Sequence, residues 1–141
     1  KAHGQLYNMA VKNEGLSHAL AQAVHDVDSD LVFFGLAGSN MLPIAEKIGL
    51  TVASEVFGDR HYMPDGTLCP RNHPAAMIED VNESIRQVLQ MVKQGTVTAM
   101  DGTRVKVRAD TLCIHGDQPG AATFARAIRD ALIAEGVHVG V

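Results

Sequence analysis

Apolar positions along the chain alternate between a helical period of about 3.6 residues and short, dense runs typical of buried strands. Leu16, Ala19, Leu20, Ala23, Val24 and Val27 recur at helical spacing and predict an amphipathic helix over 16–27. Leu31-Val32-Phe33-Phe34-Gly35-Leu36 is a nearly unbroken apolar run, as expected of a strand covered on both faces. Ser39 stands where an N-cap is needed, Met41, Leu42, Ala45 and Ile48 share the next helical face, and Gly49 stops it. Thr51 to Phe57 reads as a second strand, with Glu55 set among apolar neighbours. From Gly58 to Pro74, three prolines, two glycines and several charges mark a long loop.

Asp80 opens another helix, with Glu83 at capping-box spacing. Its stripe is Val81, Ile85, Val88, Leu89 and Val92, and Gly95 ends it. Two short apolar stretches, Val97 to Met100 and Arg104 to Val107, flank Asp101-Gly102, a hairpin-turn signal. Thr111 to Ile114 is a third core strand, and a last helix follows from Ala121 to Glu135 with Phe124, Ala125, Ile128, Leu132 and Ile133 inward. The closing run Val137 to Val141 reads as a strand cut short. Strands alternating with helices predict an α/β fold, a parallel sheet with helices packed outside it.

Composition agrees with a packed core: 46% of the 141 residues are hydrophobic and 20% are charged. Twelve basic against sixteen acidic residues give a net charge of −4, with no basic stripe of the kind a nucleic-acid binder carries. No window approaches the apolar length of a membrane span. Cys69 and Cys113 do not make a disulfide framework and fit a reducing, cytoplasmic setting. Aromatic residues are only 4%, too few for a base- or sugar-stacking platform. The opening Lys1-Ala2-His3-Gly4 and the closing apolar run lead us to expect a segment of a longer chain.

In parallel α/β folds the chemistry gathers at the carboxyl ends of the strands. That rule selects His3 (as the end of a strand before the chain start), Gly38, Ser39, Glu55, Asp59, Arg60, His115 and Asp117. Each also has a plain structural reading. Asp117 could cap the helix after Pro119. His115 could be a core histidine bonded to backbone. Glu55 is costly to bury unless paired, so it either lies on a solvated rim or faces a pocket where Arg60 or Lys1 meets it. His115 and Asp117 could join a metal site only if His3 or Glu55 supplied a third ligand. Arg60 and Arg71 are candidates for gripping carboxylate or phosphate oxygens, or are solvated loop arginines. The loop over 58–74 is about three times a median connection, the length of a functional lid.

Four blocks carry a resemblance: Lys1-Ala2-His3-Gly4-Gln5-Leu6-Tyr7-Asn8, Glu55-Val56-Phe57-Gly58-Asp59-Arg60, Tyr62-Met63-Pro64-Asp65-Gly66-Thr67-Leu68, and Arg108 through Asp117. In order and spread over the whole chain, they resemble the LamB/YcsF family. The resemblance implies part of a distorted (β/α) barrel related to the polysaccharide deacetylases (NodB-type). It also implies that residues 1–141 form one domain, the C-terminal half to three-fifths of a longer protein. The family's opening motifs do not occur here.

The family activity implied is that of the A subunit of an ATP-dependent 5-oxoprolinase, opening the lactam of 5-oxo-L-proline to L-glutamate together with B and C subunits. ATP, with magnesium as its counter-ion, is the implied co-substrate, and no permanently bound cofactor is expected. The roles expected are Glu55 or Asp117 as base, His3 and His115 as proton shuttles, and Lys1, Asp59, Arg60 and Arg71 at substrate and phosphate. Two alternatives stay open: a metal-dependent deacetylase-like hydrolase, and a non-catalytic substrate-binding component. No Walker-type phosphate loop is present.

Overall fold

The computed structural model describes residues 1–117 and 120–140. Among the described residues, five helices and five strands follow in the order α1 (Gly4–Lys12), α2 (Glu14–Val27), β1 (Val32–Leu36), α3 (Met41–Ile48), β2 (Thr51–Phe57), α4 (Val81–Gln94), β3 (Thr96–Thr98), β4 (Arg104–Lys106), β5 (Thr111–Cys113) and α5 (Ala121–Ala134). Strands β1, β2 and β5 form a parallel sheet in that order, with β2 central. Its register sets Leu36 beside Glu55 and Phe57 beside Cys113, which aligns the carboxyl ends of the strands. The hairpin turn at Asp101-Gly102 joins β3 and β4 as an antiparallel pair.

Helix α3 packs so closely on β1 that a Cβ at Gly35 would lie 3.0 Å from Leu42 Cδ2 and 3.1 Å from Met41 Cβ. Gly35 is therefore the residue that lets this crossover helix seat. The core beneath joins Phe33, Leu36, Met41, Val56, Tyr62, Val88, Met91 and Ile128 in one cluster. Asp80 caps α4, its carboxylate accepting from Asn82 N–H at 2.7 Å.

Several local expectations are corrected. Ser39 does not cap α3: Asn40 holds the N-cap position, and the Ser39 hydroxyl instead donates back to Leu36 O at 2.7 Å. The apolar run through β1 is not covered throughout, since Leu31 and Val32 are 44% and 47% exposed at an edge of the sheet. Ile133 faces outward at 46% exposure, while Ile128 and Leu132 carry the seam of α5. Residues 137–140 form no strand, though Val137 and Val139 pack on the core; Val141 lies outside the described residues. Helix α1 is an element that the apolar pattern does not announce.

Between β2 and α4, residues 58–80 carry no helix or strand beyond two isolated bridges, Arg60 with Met77 and Tyr62 with Leu68. The segment is nevertheless built around buried groups. Arg60, 2% exposed, donates to the carbonyls of Cys69 and, at 3.3 Å, Ala76. The fully buried Tyr62 hydroxyl accepts from Phe57 N–H at 2.8 Å. Buried Ser84 of α4 donates to Gly58 O at 2.6 Å, which ties the start of the segment to the helix.

Candidate functional site

Glu55 stands two residues before the end of β2 and is only 3% exposed. A carboxylate survives such burial only when donors meet it. Two do: Lys1 Nζ at 2.5 Å on Oε1 and the Tyr7 hydroxyl at 2.8 Å on Oε2. The Lys1 ammonium also lies 5.3 Å from the Phe57 ring centroid and 5.5 Å from that of Tyr7, and donates toward Cys113 Sγ at 3.4 Å. Burial by itself would lower the Lys1 pKa, but the hydrogen bond and charge of Glu55 outweigh it and hold the amine above its ordinary value. Burial, reinforced by Glu55, pushes the Tyr7 hydroxyl far above the usual phenol range. Tyr7 is therefore a fixed donor. The Cys113 thiol is likewise raised by burial and stays protonated at neutral pH.

A second pair stands beside the first. Asp59, 1% exposed, accepts on Oδ2 from His115 N–H at 2.7 Å and lies 2.8 Å from His115 Nδ1. A carboxylate on Nδ1 orients the imidazole and leaves Nε2 as the ring nitrogen available to a ligand. His115 stacks on Phe57 with centroids 5.7 Å apart and planes at 23°. Phe57 thus separates the Lys1–Glu55–Tyr7 cluster from the Asp59–His115 pair and braces both.

The two meet in a chamber of about 500 Å³ whose lining includes Lys1, His3, Tyr7, Arg60, Arg71 and His115. Of the residues selected from the sequence, Lys1, Glu55, Asp59 and His115 are brought into direct contacts, and His3 lines the chamber from the start of α1. Some of the placements differ from expectation. Asp59, expected among the phosphate binders, instead spends its buried negative charge on His115. Arg60 aims its guanidinium at backbone carbonyls, and burial together with the charge of Arg71 lowers its pKa. Asp117 does not hold the N-cap position of α5, which is Gly120; its exposed carboxylate pairs with Arg71 at 2.9 Å. Gln118 and Pro119 lie outside the described residues. Among the described residues, no three His, Cys, Asp or Glu side chains group closely enough to hold a metal ion, so His115 and Asp117 gain no third ligand from His3 or Glu55.

The profile of the LamB/YcsF family matches residues 1–140. The chain belongs to the LamB/YcsF family. It is 57% identical to the A subunit of the 5-oxoprolinase of Bordetella pertussis over 139 residues, which cover 99% of this chain and 55% of that relative. It is 50% identical to the A subunit of the 5-oxoprolinase of Bacillus subtilis, again covering 99% of this chain and 54% of the relative. A crystal structure of a lactam utilization protein from Thermus thermophilus superposes with a TM-score of 0.85 at 44% identity, over 97% of this chain and 54% of that one. The chain therefore spans about half the length of the curated relatives it matches.

Sequence reasoning misses three members of this candidate site. Tyr7 lies on the unannounced helix α1, Cys113 signals only a redox setting, and Phe57 looks like core. One signal could have found Tyr7: it stands three residues before Ala10, the spacing of one helical face, and both are buried. No helix among the described residues is long and apolar enough to cross a membrane.

Proposed function

We propose that the chain is part of the A subunit of an ATP-dependent 5-oxoprolinase, acting with B and C subunits to convert 5-oxo-L-proline to L-glutamate. One observation carries the reading: a buried Asp59–His115 pair and a Lys1–Glu55–Tyr7 cluster share one cationic rim, in a family whose relatives bear that name.

An unactivated lactam resists water at neutral pH, and ATP supplies the activation. The lactam oxygen attacks the γ-phosphorus, forming an O–P bond as the bond to ADP breaks. Water then adds to the ring carbonyl carbon and gives its proton to His115 Nε2. The hydroxyl on that carbon gives up its proton as its oxygen becomes a carbonyl, the carbon–nitrogen bond breaks, and the nitrogen takes up the proton held by His115 to become the free amine. A second water releases phosphate from the resulting acyl phosphate. For each glutamate formed, one ATP and two waters are consumed and one ADP and one phosphate are released, one water ending in the glutamate.

Within this scheme each residue has a task set by its geometry. Asp59 keeps the proton of His115 on Nδ1, so that Nε2 accepts from water. Lys1, held by Glu55, meets developing negative charge on the transferred phosphoryl group or the lactam oxygen. Arg71, paired with exposed Asp117, and the His3 ring complete the polar lining of the chamber. Burial raises the Cys113 thiol, and it takes no nucleophilic part in this scheme.

A coupled assay on the full-length protein with B and C, following ADP and glutamate together, tests the assignment. His115→Ala and Glu55→Gln are each expected to lower turnover by about a hundredfold or more. Normal ATP-dependent glutamate formation in both variants would sink it.

A further inference from the structure

Beyond the His115 ring lies a second, smaller chamber of about 390 Å³, lined by Asp59, Met77, Glu79, Ile114, His115 and Phe124. Ile114 and His115 belong to both chambers, so the imidazole stands at their junction. The two differ in character. The larger carries Lys1, His3, Arg60 and Arg71; the smaller carries apolar Met77, Ile114 and Phe124 with two carboxylates.

One atom of a residue that lines the smaller chamber lacks an explanation inside the fold. Asp59 is 1% exposed, and its Oδ2 takes both bonds from His115. Its Oδ1 is buried with no hydrogen-bond partner among the described residues. A buried carboxylate oxygen is an obligatory acceptor, and one left without a donor beside a cavity points to a donor on a ligand.

Resting on the oxoprolinase reading, we propose that the two chambers divide the substrates: the smaller is the lactam subsite, and the larger takes the nucleotide's phosphates. The ring N–H of the lactam donates to Asp59 Oδ1. Its two ring methylenes find apolar partners in Met77, Ile114 and Phe124. The ring carboxylate turns to the His115 side, because Asp59 and Glu79 repel it. A polyphosphate, far more highly charged than the single carboxylate of the lactam, is repelled more strongly by Asp59 and Glu79, whereas Lys1 and Arg71 of the larger chamber suit it. The phosphoryl group and the lactam carbonyl then meet at His115. The volume sits at the small end of ligand pockets, roughly 300–1,000 Å³.

The test uses the full-length protein in complex with its B and C partners. Ala121, half-buried, lines the smaller chamber at the start of α5. Ala121→Leu narrows that chamber, and is expected to raise KM for 5-oxoproline about tenfold while KM for ATP stays within about twofold. Arg71→Gln is expected to do the reverse. A second measurement needs no substitution: the five-membered lactone acid, with a ring oxygen in place of N–H, sets a lone pair against Asp59 Oδ1. It is expected to compete with 5-oxoproline at least about tenfold more weakly than the lactam itself binds. A lactone that competes as well as the lactam overturns the placement, as does an Ala121→Leu enzyme with unchanged KM for 5-oxoproline. If the unsubstituted complex shows no 5-oxoproline-dependent ATP turnover at all, the activity reading fails and takes this placement with it.

Discussion

Glu55 is buried in the middle of a sheet because Lys1 and Tyr7 both donate to it, and removing either donor exposes the cost of that burial. With the Lys1 side chain 21% exposed, breaking the pair sits below the full penalty for a buried ion pair. Lys1→Met is expected to lose about 2 kcal/mol of stability, read as a lower midpoint in urea. The same pair sets a pH dependence. Because the folded-state pKa of Lys1 lies above its ordinary 10.5, the stabilisation is complete below that value and is lost as pH rises through the folded pKa. The gap between wild type and Lys1→Met in urea midpoints should therefore hold at about pH 9 and shrink above about pH 11. In the proposed mechanism Asp59 acts through His115: Asp59→Asn no longer holds the proton on Nδ1, and turnover is expected to fall on the order of 10²–10⁴.

At the scale of elements, the site is carried on two strand ends and two inserted segments. Glu55 and Phe57 come from β2, Cys113 and His115 from β5 and the turn after it, Tyr7 from α1, and Asp59 from the start of the segment over 58–80. The helices that support these elements obey local rules. Asp80→Ala removes the carboxylate that accepts from Asn82 N–H, and about 1 kcal/mol of stability is expected to go with it, measured by thermal or urea unfolding. Gly35 tests packing instead of capping. Gly35→Ala drives a methyl to 3.0 Å from Leu42 and 3.1 Å from Met41, and α3 must shift, at a cost of roughly 1–3 kcal/mol. The shift reaches β1 and not the site, so turnover of the folded variant is expected to stay near normal.

For the whole molecule, the consequence of the topology is an apolar edge. Strand β1 is at one end of the described sheet, with Leu31 and Val32 about half exposed and Val27 at the close of α2 81% exposed. An unpaired parallel edge with apolar side chains invites association. Residues 1–141 expressed alone are expected to self-associate, and Val32→Lys to reduce that association in sedimentation velocity. A chain that stays monomeric without the substitution would contradict this.

By itself the sequence determined the periodic elements: helices α2 to α5, the three parallel strands, the hairpin and the caps at Asp80, Gly49 and Gly95. These depend on spacing and on backbone preferences that act within a few residues. Helix α1 escaped because its buried face is only Tyr7 and Ala10, while Leu6 and Met9 point outward at 43% and 52% exposure. The strand-end rule found the rim, and narrowed the partner of Glu55 to Lys1 or Arg60. Only the tertiary structure chose Lys1, because the Arg60 guanidinium is already taken by the carbonyls of Cys69 and Ala76. The Asp59–His115 bond spans 56 positions and the Lys1–Glu55 bond 54. Neither leaves a local signal, since each exists only when parallel strands bring their carboxyl ends together and burial removes the water that would otherwise separate the charges.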